Sequence, residues 1–318
     1  MKRLTARCGF AGKCWLRNMH SSALPEISVI IPTYNQADLL REALKSLSLQ
    51  TFGNWEAIVI NNFSEDGTIE VVQSFHDERL KLVNFRNHGV IGASRNEGFR
   101  HARADLIAFL DSDDAWENGK LERVRAVFQA NRHIDLVCHD EAILRHDTRN
   151  GVLKYGPYNT YFDLLFKGNC LSTSAVMVRR SCFQKVGGFS EAPQFVGVED
   201  YDLWMRLAKA GCRFQFLHEL LGTYRIHGQA FTSKIEKHLQ QSLNLLQAHF
   251  GEWQPQTHYY RYLMRRRWAG VLRGSGRSFM LNGERGKARH YLVLALRKDP
   301  LSWKTWALIF LNFMGVRA

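Results

Sequence analysis

Several features that would place this 318-residue chain in a familiar class are missing from its sequence. No stretch approaches the ~18 uncharged apolar residues that an ordinary membrane-spanning helix needs. The six cysteines are scattered and form no CxxC pair, so we expect reduced thiols in a cytoplasmic protein. Residues 1–24 lack the continuous apolar region of a secretory signal and are predicted to form a disordered basic tail.

Common catalytic motifs are absent as well. The sequence contains no P-loop, no HExxH, no GxSxG and no GxGxxG, which removes the usual signatures of P-loop hydrolases, zinc proteases, serine hydrolases and dinucleotide enzymes. The composition is that of an ordinary globular protein, with 45% hydrophobic and 23% charged residues. A chain of this length is sufficient for one large α/β domain with a helical appendage.

The net charge of +13 is carried by the two ends of the chain. Residues 1–24 hold five Lys or Arg and no acid, and residues 233–318 hold fifteen bases and four acids. The middle region, 25–232, has 23 bases and 26 acids. The basic and aromatic run at 259–268 keeps a nucleic-acid-binding protein open as an alternative, but the middle region has no basic excess for such a partner.

From residue 27 onward, buried strands alternate with amphipathic helices. Apolar strands separated by helices are typical of an α/β fold with a doubly wound, mostly parallel sheet. Sheets of this kind bind ligands beyond the carboxyl ends of their strands. Strands are predicted at 27–31, 55–60, 80–85, 106–110, 134–138, 174–178 and 213–217, and helices at 90–103 and 199–210.

Two carboxylates, Asp111 and Asp113, follow the fourth predicted strand directly. Carboxylates at positions i and i+2 after a strand offer hard oxygen ligands to a cleft, and such ligands suit Mg²⁺ or Mn²⁺. A divalent ion at this place would stabilise the negative charge of a departing nucleoside diphosphate. A capped turn that leads into the next helix is the alternative interpretation.

Four motifs in this order resemble the signatures of family 2 glycosyltransferases. They are SVIIPTYN at 28–35, Arg95-Asn96, Asp111-Ser112-Asp113 and EDYDLW at 199–204. The resemblance covers about residues 27–230 and implies a GT-A fold and an inverting transfer from a nucleotide sugar, with a UDP-sugar as the expected donor. It also implies Mn²⁺ or Mg²⁺ as cofactor. A sugar nucleotidyltransferase is the alternative, although those enzymes usually begin with a Gly-rich phosphate loop, which this chain lacks.

The resemblance assigns the metal and phosphate contacts to specific residues. Asp113 is the expected metal ligand, and Asp111 is expected to face the ribose and the metal shell. His227 is expected to contact the metal or the phosphates, with an ordinary surface loop as the alternative. Arg95 suits phosphate because its planar fork can donate two hydrogen bonds, and an ion pair with a nearby carboxylate is its alternative.

By the same resemblance, Pro32, Thr33 and Tyr34 would contact the base of the donor. The second loop departs from the family pattern, because Asn61 and Asn62 stand where relatives generally carry an Asp followed by Asp or Asn. The amide of Asn61 can still accept a hydrogen bond from a base, but it has no charge. We therefore expect base recognition by Asn61 to be weaker or altered.

The catalytic step is expected at the EDYDLW motif. An inverting transfer needs one base that deprotonates the acceptor hydroxyl, and the resemblance gives this role to Asp200 with support from Glu199. Trp204 is interpreted either as a core residue or as a wall of the acceptor site. A helix that simply favours acids in its first turn is the alternative explanation of the two carboxylates.

The sequence changes character at the end of the predicted glycosyltransferase domain, 25–232. Residues 233–318 are predicted to form a basic helical region, with a helix–turn–helix at 276–300. The apolar segment 301–314, with two tryptophans and one charge, suits either an interfacial anchor on an anionic membrane or a packed last helix. Many members of family 2 glycosyltransferases act on glycan or lipid-linked acceptors. The resemblance therefore also favours a cytoplasmic protein that binds peripherally to the cytoplasmic face of the inner membrane.

Overall fold

The computed structural model describes residues 24–145, 148–226, 235–251 and 257–316. Within these ranges, nine strands build one sheet. Their bounds are β1 Ile27–Thr33, β2 Trp55–Asn61, β3 Leu80–Asn84, β4 Leu106–Phe109, β5 Ala115–Trp116, β6 Leu136–Arg145, β7 Thr148–Leu153, β8 Val176–Arg179 and β9 Phe214–Ile226. The helices are α1 Ala37–Ser48, α2 Thr68–Ser74, α3 Ile91–His101, α4 Lys120–Ala130, α5 Tyr161–Lys167, α6 Arg180–Lys185, α7 Glu199–Lys209, α8 Ile235–Gly251, α9 His258–Leu281, α10 Arg285–Lys298 and α11 Trp303–Met314.

The sheet has the order β3-β2-β1-β4-β8-β6-β9-β5, and β7 pairs with β6. The pairs within β3-β2-β1-β4 are all parallel, as the alternation of strands and helices predicts. Beyond β4 the sheet is mixed, because β8 runs antiparallel to both β4 and β6, while β6 and β9 are parallel. The predicted α/β architecture is confirmed.

Apolar side chains on the two faces of the sheet form two separate cores. One core joins α1, α2 and α4 to one face through residues such as Leu44 and Val124. The other joins α5, α6 and α7 to the opposite face, and α8 contributes Leu245 to it. Both faces of the sheet are therefore covered by helices, which explains the uninterrupted apolar strands.

Close packing of α3 on the sheet depends on a glycine. A Cβ atom at Gly98 would lie 2.4 Å from Cγ2 of Ile30 in β1, which is closer than atoms can approach. Gly98 therefore lets α3 lie directly against the strand, and this contact holds the beginning of α3 near the carboxyl ends of β1 and β4. The polar loops that follow those strands face the same edge.

The carboxyl-terminal helices extend the fold. The predicted helix–turn–helix is present as α9 and α10, which are joined by a turn at 282–284. Helix α8 is tied to α7 by a 3.1 Å contact between His249 Nε2 and the carboxylate of Asp202. The predicted boundary at residue 233 stays a prediction, and the core of the domain before it includes side chains of α8 and α9. Among the described residues, no helix is both long enough and apolar enough to cross a membrane.

Helix α11 has two faces of different character. Its inner face, which includes Thr305 and Asn312, is buried against α10. Its outer face carries large apolar side chains that are mostly exposed, at 72% for Trp303, 63% for Phe310 and 77% for Phe313. The inner face therefore fits the interpretation as a packed last helix, and the uncovered outer face fits the interpretation as an interfacial anchor.

Candidate active site

A buried arginine links the two acidic motifs of the chain. Arg95, in the first half of α3, donates from Nη2 to Asp111 Oδ1 and from Nη1 to Glu199 Oε1, both at 2.7 Å. Burial alone would lower the pKa of Arg95, but the charges of these two carboxylates hold it above its ordinary value. Of the two interpretations that the sequence leaves open for Arg95, the structure displays the ion pair.

Asp200 lies beside this ion pair and lines a cavity of 780 Å³. Arg95, Asp111 and Glu199 line the same cavity. Burial and the neighbouring charge of Glu199 raise the pKa of Asp200 to about 7, and the positive charge of Arg95 offsets only part of that shift. A carboxyl group with such a pKa can hold or release a proton near neutral pH, as a general base must.

Glu199 differs from Asp200 in its contacts. One oxygen accepts from Arg95, and the other accepts from the backbone N–H of Gly197. Its side chain is only 4% exposed. Glu199 is therefore held as an ion-pair partner, while Asp200, one residue further along α7, presents its carboxyl group to the cavity.

The turn after β4 is fixed by Ser174, which precedes β8. The Oγ atom of Ser174 accepts from the backbone N–H of Asp111 at 3.1 Å and donates to Asp114 Oδ2 at 2.6 Å. The other oxygen of Asp114 accepts from the backbone N–H of Arg225 at 3.0 Å. Asp114 thus connects the acidic turn to the end of β9, two residues before His227.

Negative charge accumulates at this turn. The pKa of Asp114 is raised by burial and by the carboxylates of Asp113, Glu141 and Asp111. Burial and the same acids raise the pKa of Tyr224 to about 12. The turn therefore offers carboxylate oxygens in a region of excess negative charge, and oxygen ligands of this type fit a hard divalent ion such as Mn²⁺ or Mg²⁺.

The predicted base-contact residues lie at the ends of β1 and β2, and they do not line the cavity. Pro32 and Thr33 belong to β1, and Thr33 pairs in register with Asn61. Tyr34 is 54% exposed. The Oγ1 atom of Thr33 is buried and has no hydrogen-bond partner among the described residues, so this atom could bond a ligand.

The structure does not support a base contact by Asn61. Its side chain is fully buried, its Nδ2 donates to Asn84 Oδ1 at 2.9 Å, and its Oδ1 accepts from the backbone N–H of Ser64 at 3.0 Å. Both amide atoms are thus used inside the protein. The amide at this position fastens the loop after β2 to β3.

The acceptor-wall interpretation of Trp204 is wrong. Trp204 is fully buried and packs edge-on against Phe189, with 6.4 Å between the ring centroids. It has no surface to offer an acceptor, because its position in α7 faces the sheet. His227 lies outside the described residues, so its predicted contact stays a prediction.

Sequence reasoning missed three contributors to this site. Asp114 is the last acid of the run DSDD, but the i, i+2 pattern selects Asp111 and Asp113 as ligands and gives no role to Asp114. Ser174 and the cavity residue Arg267 belong to no motif, and only the fold brings them to the acidic turn and the cavity. A further group, Asp135 with Cys182 and Cys212, has ligand atoms within 4.8 Å of one another, but it lies where β6 and β9 begin and not at the carboxyl ends of the strands.

Comparison with known proteins agrees with this arrangement. The model of the family described as "Glycosyl transferase family 2" matches residues 28–187, and that described as "N-terminal domain of galactosyltransferase" matches residues 159–228. The fold and the matched motifs define a GT-A glycosyltransferase. The chain belongs to glycosyltransferase family 2, and the predicted enzyme class is confirmed.

Individual relatives extend the comparison. The chain is 30% identical over 227 residues to the UDP-Glc:alpha-D-GlcNAc-diphosphoundecaprenol beta-1,3-glucosyltransferase WfgD of Escherichia coli, covering 69% of this chain and 85% of WfgD. The structure of S. aureus TarS 1–349 in complex with UDP-GlcNAc matches with a TM-score of 0.63 and 17% identity over 92% of each chain. The mannosyltransferase PcManGT from Pyrobaculum calidifontis, in complex with GDP-Man and Mn²⁺, matches with a TM-score of 0.57 and 17% identity over 92% of this chain and 81% of PcManGT. The two solved structures show the same fold.

Replacing Arg95 tests how much its ion pairs contribute to the stability of the fold. Arg95→Gln should lower the free energy of unfolding by about 3–5 kcal/mol, because it leaves a buried carboxylate without its partner. The control Arg100→Gln removes an exposed i, i+3 ion pair with Glu97 on the same helix and should change stability by less than about 0.5 kcal/mol. Denaturant unfolding of the two variants measures both values, and equal losses would contradict the prediction.

Proposed function

We propose that this enzyme transfers a sugar from a UDP-sugar to a hydroxyl group of a glycan or lipid-linked glycan, with inversion and with the help of Mn²⁺ or Mg²⁺. The observation that carries the proposal is the position of Asp200. Its carboxyl group lines a cavity that also contains Asp111 of the acidic turn, and its pKa is raised to about 7. One base and one acidic turn in a single cavity are what a direct displacement requires.

Asp200 accepts the proton of the acceptor hydroxyl in this proposal. The acceptor oxygen then forms its bond to the anomeric carbon as the bond between that carbon and the phosphate oxygen breaks, and the electron pair leaves with UDP. No covalent enzyme intermediate is needed. Glu199 is not a second base, because Arg95 and the N–H of Gly197 engage both of its oxygens. Its role is to hold Arg95 and the start of α7 in place.

Asp111 and Asp113 are the proposed metal ligands, and the excess negative charge around Asp114 supports this assignment. A bound divalent ion would supply Lewis-acid stabilisation of the leaving diphosphate. Asp114 itself is held by Ser174 and by the backbone of Arg225, so we give it a positioning role. His227 follows Arg225 by two residues and stays a proposed contributor.

The UDP donor is supported by the relatives. WfgD is named for UDP-Glc, and TarS was solved with UDP-GlcNAc. In this chain the buried Oγ1 of Thr33 could bond a nucleotide, and the exposed ring of Tyr34 could stack on its base. Pro32 shapes the end of β1 beside them.

A donor panel tests the proposed function. Purified enzyme is incubated with UDP-, GDP- and TDP-sugars, with water in place of the acceptor, and in parallel with nucleoside triphosphates and a sugar 1-phosphate. Release of nucleoside diphosphate and of pyrophosphate is measured with and without Mn²⁺. We expect metal-dependent release of UDP. A sugar nucleotidyltransferase would instead release pyrophosphate from a nucleoside triphosphate, and a nucleic-acid-binding protein would show no turnover, so either result would refute the proposal.

Removing the proposed base should separate binding from chemistry. Asp200→Asn should lower transfer by roughly 10²–10⁴-fold while UDP affinity stays nearly unchanged, because a positioned base contributes only to the chemical step. Asp38→Asn, an exposed acid in the first turn of α1, is the matched control and should be silent. A collapse of UDP affinity with normal turnover at saturation would make Asp200 a binding residue.

The raised pKa of Asp200 predicts that the rate of transfer depends on pH. The base acts when deprotonated, so kcat/KM of the wild type should rise with pH through about 7 and become flat above it. The residual activity of Asp200→Asn should lack this acidic limb. A pH–rate profile of both proteins measures the effect, and an identical limb in the variant would assign it to another group.

The proposed metal ligand can be tested by substitution. Asp113→Ala should abolish the Mn²⁺-dependent part of the transfer, because a methyl group provides no ligand oxygen. Glu117→Ala, which removes a nearby carboxylate paired with Arg149, is the control. Activity is titrated against Mn²⁺ for each protein. An unchanged Mn²⁺ dependence in folded Asp113→Ala would refute the assignment.

We also propose that the enzyme lies peripherally on an anionic membrane through α11. The uncovered apolar face of α11 is accompanied by the basic excess of 233–318, and apolar aromatic side chains next to bases suit the interface of an anionic bilayer. WfgD, whose named acceptor is a diphosphoundecaprenol lipid, makes such a location reasonable for this chain.

Vesicle binding tests the membrane proposal. Phe310→Ser combined with Phe313→Ser should reduce co-sedimentation with anionic vesicles at low salt, because each exposed aromatic ring loses apolar contact with lipid. Tyr259→Ser, an exposed aromatic position on α9, is the control. Binding of the wild type should weaken at high salt. If the wild type ignores vesicles at every salt concentration, α11 is not an anchor.

A further inference from the structure

The cavity that contains Asp200 continues beyond the acidic residues. Its far wall is formed by α8 and α9, through His238, Arg267 and Ser275 among others. The cavity is therefore acidic near the end of β4 and the beginning of α7. Where α9 lines it, the cavity carries an arginine, Arg267. The acidic half belongs to the proposed transfer chemistry, and the half lined by α9 has no role in it.

The contacts of Arg267 are those of a cation without an anionic partner. Its Nε–H donates to the carbonyl of Leu165 at 3.2 Å, and its Nη2 donates to the hydroxyl of Tyr201 at 3.3 Å. Both acceptors are neutral. Within the described ranges no carboxylate lies within ion-pair distance of Arg267, whereas Arg95 has two.

The surroundings of Arg267 add positive charge. The pKa of Arg273, six residues further along α9, is lowered by burial and by the charges of Arg266 and Arg267, although Asp299 opposes this. The positive charges of Arg266 and Arg267 thus both act on Arg273. Asp299 lies 3.7 Å from Arg266 and its charge also acts on Arg273, whereas in the described part of the chain Arg267 has no carboxylate within ion-pair distance. A negatively charged ligand in this half of the cavity would relieve the repulsion.

We propose that Arg267 binds an oxyanion carried by the acceptor, so that the cavity selects acceptors whose sugar bears a phosphate or a carboxylate. This inference rests on the proposed function, because it takes Asp200 as the base that faces the acceptor. Tyr201 connects the two, since it follows Asp200 in α7 and its hydroxyl accepts from Arg267. An acceptor hydroxyl at Asp200 therefore leaves the rest of the acceptor to extend toward α9.

The fork of a guanidinium binds the oxygens of phosphate and of carboxylate in the same way. The oxyanion can accordingly come from an anomeric phosphate, as in a lipid-linked sugar, or from the carboxylate of a uronic acid. The donor diphosphate is a less suitable ligand for Arg267, because the proposed metal ligands belong to the turn after β4, whereas Arg267 belongs to α9. The two acceptor sources are distinguished by the choice of probe.

The test measures binding of small probes to the full-length enzyme in the presence of UDP and the diamagnetic ion Mg²⁺. The probes are glucose 1-phosphate, glucuronate and the neutral methyl glucoside, followed by ligand-observed NMR titration. We expect at least one anionic probe to bind more tightly than the glucoside, and Arg267→Gln to weaken that probe about 10-fold or more. Arg267→Lys keeps the charge without the fork and should retain part of the affinity.

The exposed neighbour Arg265→Gln is the matched control and should change probe affinity by less than about twofold. UDP binding by Arg267→Gln shows whether the variant is folded. Preference for glucose 1-phosphate identifies a phosphate acceptor, and preference for glucuronate a uronic acid. If UDP binds but the anionic probes bind no better than the glucoside, or lose nothing in Arg267→Gln, the inference is refuted. Failure of UDP to bind the wild type would instead refute the proposed function.

Discussion

The ion pair that Arg95 makes with Asp111 and Glu199 is the interaction on which the rest of this site depends. It joins three elements that are distant in sequence: α3, the turn after β4, and the start of α7. A buried arginine with two carboxylate partners has a fixed geometry, because its planar fork determines where each partner lies. The acidic turn and the carboxyl group of Asp200 are thereby held on one cavity.

The same interaction leaves the site short of positive charge. Arg95 is already paired with Asp111 and Glu199. Burial and the carboxylates of Asp113, Glu141 and Asp111 raise the pKa of Asp114, and burial and the charge of Glu199 raise that of Asp200. In the proposed mechanism, a divalent ion and a proton from the acceptor relieve this repulsion at two different points. The same excess of negative charge thus favours both binding of the metal ion with the donor and uptake of the proton by Asp200. Arg267, across the cavity, lies outside this cluster.

Much of the fold could be predicted because its signals are local. The apolar runs of β1, β2 and β4 and the helical spacing of α7 follow directly from the order of the residues. The short strand β5 and the antiparallel insertion of β8 could not be anticipated, since their pairing is decided by partners far along the chain. The sequence therefore indicates a parallel α/β core more clearly than the mixed half of the sheet.

The site was predictable only where chemistry and motif coincide. Asp111 and Asp200 stand in motifs, and the structure brings both to one cavity. Trp204 stands in a motif too, but its position on the inner face of α7 buries it. For Asn61, the hydrogen bonds to Asn84 and Ser64 use both atoms of the amide, which no sequence pattern reveals. Ser174 and Arg267 were missed because long-range packing alone places them.

The most direct test of the central claim, displacement by an acceptor that a single base deprotonates, is the anomeric configuration of the product. The glycoside formed from an α-linked UDP-sugar is isolated, and its anomeric proton coupling is measured by NMR. Asp200 acting as a single base in a direct displacement predicts a β-linked product. An α-linked product would mean that the configuration is retained and would contradict the mechanism.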